Sequence, residues 1–145
     1  MLRHLTLGLL VSAIGFSHCP LMAQEKSETQ KVYDFECSGK KTQGSGVATG
    51  FPVNHPVRVQ YQLDLGALTL TEVEIDPPEL SAGQKPIAIK IYGKTLITKF
   101  RNDQLQKDYE IQIRADERLF SITVFPSGTF EPDAWYGQCI SHQSS

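Results

Sequence analysis

Carboxylates are the residues whose spacing comes nearest to chemistry in this chain. Glu72, Glu74 and Asp76 alternate, with Glu79 just beyond, and Asp34 and Glu36 form a second alternating pair. Residues two apart on a strand share a face, separated by roughly 7 Å. That spacing suits a sugar-hydrolysing acid pair or a calcium site. A solvated outer sheet face produces the same pattern, and that reading is adopted because the other parts of a catalytic set are missing. His55 stands beside Pro56 and His142 lies near the C-terminus, with no paired spacing for zinc. Ser45 sits in Gly44-Ser45-Gly46, a flexible turn and not the Gly-x-Ser-x-Gly elbow of a hydrolase. The run GSGVATG lacks the strand-before, helix-after setting of a phosphate loop. The expectation is therefore no catalytic residue, no metal and no cofactor.

Contact with a partner is the other way a small domain acts. Tyr136 is out of phase with Trp135 and Cys139, so one of the two aromatics faces away from the core. An exposed aromatic near an arginine can anchor a partner, which singles out Tyr136 and Arg114. Ser38 to Pro56 is rich in glycine and proline and reads as a long loop, with Phe51 as its apolar anchor. A loop that long is unusual in a compact domain, so either it is functional or a short strand lies within Val47 to Phe51.

These residues need a compartment and a frame. The first 23 residues have Arg3 in a basic start, an apolar run from Leu5 to Phe16 and a small residue, Ala23, at the end. This is the layout of a secretory signal peptide cut after Ala23. The apolar run is shorter than the roughly 20 residues a spanning helix needs. Lipid attachment at Cys19 is the alternative route, and Phe16, Ser17 and His18 fit it poorly. The expected place is the periplasm or the outside of the cell. Without the leader, 13 Lys and Arg face 16 Asp and Glu. That balance argues against nucleic acid and offers no polybasic route to an anionic membrane. Cys37 and Cys139 remain as an even pair in an exported chain, which reads as a disulfide.

The frame is read from period-two alternation. Gln24 to Gln30 is a polar tail, 31–140 a β domain and 141–145 a second polar tail. Within the domain, Val57 to Leu65 gives the clearest alternation. Further strands are expected over Lys31–Cys37, Leu68–Ile75, Ile87–Tyr92, Thr95–Arg101, Tyr109–Arg114, Leu119–Phe125 and Trp135–Cys139. The apolar phase slips between Leu70 and Val73, as a β-bulge would make it do. About eight strands on short turns form an antiparallel up-and-down barrel or a two-sheet sandwich. In a closed barrel the first and last strands meet. If Cys37 and Cys139 sit directly opposite, Lys41 falls opposite Trp135 and the first strand continues past Cys37. If it stops there, the bridge ties the rim. The inward set is bulky and apolar, from Phe35, Val59 and Tyr61 to Val73, Ile91 and Ile122, with polar groups left to loops and wet faces. Such side chains can fill a narrow barrel completely.

The opening YDFECSG and the closing WYGQC resemble the frame of many small exported proteins of Gram-negative bacteria, a likeness that brings no activity with it. A more distant resemblance is to periplasmic inhibitors of C-type lysozyme, small barrels that also open on an aromatic-x-Cys and close on a second cysteine. Their inhibitory Ser-Gly-x-x-Tyr stretch has no counterpart here, where ITKFRNDQ stands, so no inhibitory residue is carried over. The leading expectation is a soluble, non-enzymatic binding protein of the cell envelope with a protein partner there or outside the cell. A hydrolase inhibitor is one alternative. A small-ligand carrier or an enzyme with an unrecognised site is the other.

Overall fold

The computed structural model describes residues 31–128 and 131–144. The expected leader, its cleavage after Ala23, Cys19 and the tail 24–30 lie outside the described residues. The fold is all-β: β1 (Val32–Gln43), β2 (Pro56–Asp64), β3 (Thr69–Asp76), β4 (Ile87–Ala88), β5 (Lys90–Tyr92), β6 (Thr95–Asn102), β7 (Lys107–Arg114), β8 (Leu119–Phe125) and β9 (Asp133–Gln143). One 3-10 turn, Pro78–Leu80, follows β3. All pairings are antiparallel, in the order β4-β3-β2-β1-β9-β8-β7-β6-β5. The sheet ends are two halves of one strand broken at Ile89, so the sheet curls into a nearly closed barrel. The Ile89 N–H donates to the Leu68 carbonyl at 3.0 Å, and Thr98 Oγ1 donates to the Ala88 carbonyl at 2.9 Å across the seam. That break is why nine strands are found where eight runs of alternation were read. A sandwich of two separate sheets is not formed.

The core follows the alternation. Val57, Val59, Tyr61 and Leu63 of β2 point inward between exposed neighbours, and Ile111, Ile113, Phe120, Ile122 and Val124 do the same from β7 and β8. The Cys37–Cys139 disulfide is formed, and the two residues are directly opposite in the β1–β9 register. Lys41 accordingly lies opposite Trp135.

Three expectations change. First, Ser38–Gln43 is strand and not loop, so the loop shrinks to 44–55. The reason is that the inward positions there are Gly39 and Lys41, which give no apolar beat. Gly39 faces Gly137, and a Cβ at Gly39 would lie 2.3 Å from the Tyr136 carbonyl oxygen. Second, β9 continues through Gln143, so Ser141 to Gln143 belong to the sheet and not to a tail. Third, the bulge is present but sends a different residue inward. Tyr61 pairs with Glu72 and Gln60 with Glu74, leaving Val73 as the extra residue. Val73 is exposed and Glu72 is buried, so the three acids do not share one outer face. Ile91, also read as inward core, is 43% exposed.

Candidate binding site

The interior is not purely apolar. Lys41, Asp133, Glu72 and Thr98 are buried, against the expectation that polar groups stay on wet faces. At the end of the barrel under the 44–55 loop, Lys41 Nζ lies 2.8 Å from Asp133 Oδ1 and donates to the Phe51 carbonyl at 2.6 Å. Asp133 also accepts from the Gly46 and Thr49 backbone N–H groups at 3.0 and 3.1 Å and from Thr49 Oγ1 at 2.6 Å. Burial alone would raise the Asp133 carboxyl's pKa, but the Lys41 and Thr49 hydrogen bonds outweigh it and hold the group below its ordinary range. Every strong partner here belongs to the chain itself, so the cluster fastens the loop.

Glu72 forms the second cluster. It accepts hydrogen bonds from Ser81 Oγ and, at 2.8 Å, from the Ala82 N–H. This holds the segment after the 3-10 turn against the barrel with Leu80 buried. Desolvation raises the Glu72 pKa, with those two hydrogen bonds opposing it. The hydroxyls of Tyr61 and Tyr109 are buried with no hydrogen-bond partner among the described residues. Burial first, and then the nearby Glu72 charge, pushes Tyr61 well above its ordinary pKa and Tyr109 to about 12. Both stay neutral phenols at any physiological pH.

The barrel is closed at one end and open at the other. Ala48, Leu80 and Trp135 are buried at the closed end, and Phe51 packs over them, edge-on to Trp135 with ring centroids 6.3 Å apart and stacked on His55 at 4.2 Å. At the opposite end the chain turns tightly at 65–68, 93–94 and 115–118. Among the described residues these turns leave a cavity of about 250 Å³ open to solvent. Its walls are Tyr33 and Phe35 of β1, Leu63 and Leu65 from β2 and the turn after it, Ile91 of β5, Leu96 of β6 and Ile113 of β7. Among the described residues Lys94 is the one charged residue of the lining. Leu68, Ile91 and Tyr92, at 49%, 43% and 62% exposure, add apolar surface from this end of the barrel. A wider depression of about 510 Å³ lies on the outer face over β1–β3. It is walled by side chains of both charges, among them Glu36, Arg58, Glu74 and Asp76, together with the exposed Ile140.

The residues singled out for partner contact fall in two places. Tyr136 is 48% exposed on the outer face. Arg114 is exposed on the same face, separated from it by β8, with its guanidinium 2.5 Å from Glu117. Phe51 is half-buried in the loop packing just described and is not grouped with them. The open mouth went unnoticed in the alternation because Leu65 and Ile91 read like any other inward residues. One usable signal was in the chain. Between Glu79 and Asp103 stand Lys85, Lys90, Lys94, Lys99 and Arg101 with no acid, so this one stretch is basic in a chain of net charge −2. Among the described residues no group of three or more His, Cys, Asp or Glu could hold a metal ion, and no helix is long and apolar enough to cross a membrane. In comparisons with known proteins the chain matches no family model, no curated protein and no solved structure.

Proposed function

We propose that this chain is an exported, non-enzymatic binding protein that takes an apolar group of a small ligand into the open mouth of its barrel. The observation that carries the reading is the mouth itself. Seven apolar side chains from β1, β2, β5, β6 and β7 and the turn after β2 converge on a space left open to solvent. Small-molecule sites are concave, mostly apolar and edged by few polar groups. The volume lies a little under the roughly 300–1,000 Å³ usual for such sites, which suits one short chain or ring and not a large ligand. The two buried carboxylates support a binding role over a catalytic one. Asp133 and Glu72 already accept hydrogen bonds from the chain's own groups, and both serve to hold segments in place.

Fluorescence titration with a neutral apolar naphthylamine probe tests this, using protein purified from cells that express the full chain. Saturable binding is expected, weakened roughly tenfold by Leu65→Gln, since burying one such side chain is worth about 1.5–3 kcal/mol. Leu65 is only half-buried, so the fold should survive. Absence of saturation, or equal affinity in the variant, would overturn the proposal.

A further inference from the structure

We infer that the ligand is a single-chain anionic amphiphile, a short alkyl or acyl chain carrying a carboxylate or phosphate. This rests on the mouth being a binding site, as proposed above. The lining is mostly apolar, with the Ser141 hydroxyl as a neutral polar group and Lys94 as the charged one, and among the described residues the Lys94 ammonium has no ion-pair partner. The strand leading to it carries Lys90, also without an ion-pair partner there. Lys99 on β6 is spoken for by Glu110 at 2.7 Å. A ligand whose chain enters between Leu65 and Ile91 therefore meets positive charge as it leaves, and among the described residues no carboxylate lines the cavity to repel an anion. A chain ending in a cation would meet Lys94 unfavourably, and a neutral alcohol would gain nothing from it.

The cavity holds one short chain, which selects a free amphiphile over a lipid held in a bilayer.

The test is displacement of the neutral naphthylamine probe from the full-chain protein by decanoate, decanol and decyltrimethylammonium, each kept monomeric. Vesicles with and without anionic lipid form a fourth arm. Decanoate should displace the probe at the lowest concentration, roughly two- to fivefold below decanol, the range an exposed charge contact gives. The ammonium should be weakest. Lys94→Glu should reverse the order of the two ions while decanol still displaces the probe, which a merely unfolded variant would not do. Equal affinities for decanoate and decanol, both unmoved by Lys94→Glu, overturn this inference and leave the mouth a neutral apolar site. Failure of the probe and of all three amphiphiles overturns the binding site itself. Binding to anionic vesicles with none to monomeric decanoate assigns the cations to a membrane surface and also overturns the inference.

Discussion

Lys41 and Asp133, 92 positions apart in sequence, form a 2.8 Å ion pair with both side chains withdrawn from solvent. Lys41 enters from β1 and Asp133 from the first position of β9, so the pair spans the two strands that the disulfide also joins. Around it the chain supplies further partners: the Phe51 carbonyl for the ammonium, Gly46 and Thr49 for the carboxylate, and the Trp135 ring 5.6 Å from Lys41 Nζ.

Removing one member of that pair strands the other. Lys41→Met or Asp133→Asn should each cost about 3–5 kcal/mol, the usual penalty for breaking a buried pair. The double replacement should cost less than the sum of the two. The pH dependence follows from the lowered Asp133 pKa. Its stabilisation is present above the ordinary carboxylate value of about 3.9 and is lost as pH falls through the lower folded value. Urea unfolding of the three variants, with the wild type followed into acid, checks both statements. Additive losses would show that the two side chains act independently.

The disulfide makes a separate claim on stability. Cys37 and Cys139 are 102 positions apart, and closing a loop of that length is worth up to roughly 4–5 kcal/mol in the chain-entropy view. Cys37→Ser should lower the melting temperature clearly while leaving the β-sheet circular dichroism intact at low temperature. Thiol titration of the denatured wild-type domain should find neither cysteine free, and two titratable thiols would refute the bridge.

Gly137 gives a sharper steric test. A Cβ there would lie 2.0 Å from the Ser38 carbonyl oxygen and 2.6 Å from Phe120 Cε1. The first neighbour is backbone and cannot swing aside. Gly137→Ala should therefore destabilise by about 1–3 kcal/mol, the range for overpacking. Gly66→Ala, whose Cβ would meet only the Asp64 side chain at 3.3 Å, should stay within about 0.5 kcal/mol of wild type. Equal effects at the two sites would mean the β1–β9 crossing is looser than described.

How much of this could be read from the chain alone depends on what period-two alternation encodes. It reports which face of a strand is buried, and β2 was legible because Val57, Val59, Tyr61 and Leu63 keep the beat. It fails where the inward residue is not apolar, so Gly39 and Lys41 hid the second half of β1. It located the bulge in β3, but the extra residue could be assigned to either face, and Glu72 was left outside with Glu74. Alternation says nothing about whether a barrel end is covered, because that depends on where loops travel. The 44–55 loop covers one end through a pair distant in sequence. The tight turn at Gly93-Lys94 leaves the other end open. For the same reason the mouth could be found only in three dimensions, although the acid-free run from Lys85 to Arg101 marked one of its walls.

Glu72 offers the most specific pH prediction. Its carboxyl is buried in the barrel, and desolvation raises its pKa above the ordinary glutamate value of about 4.3. A group whose pKa is higher in the folded state favours folding most when protonated. Its contribution is complete below the unfolded pKa and declines as pH rises through the folded one. Glu72→Gln stays neutral at all pH. Its amide oxygen can still accept from Ala82, and its NH₂, in place of the oxygen that accepts from Ser81, can donate to the Ser81 hydroxyl. The variant should therefore gain stability relative to wild type as pH is raised from about 4 to about 7, with little difference at the acid end. Glu72→Ala should behave differently. It removes the acceptor for Ser81 and Ala82, so the segment after the 3-10 turn should open to limited proteolysis. Urea midpoints across that pH range decide the matter. A flat difference between Glu72→Gln and wild type, or one of the opposite slope, would place Glu72 in contact with solvent and not inside the barrel.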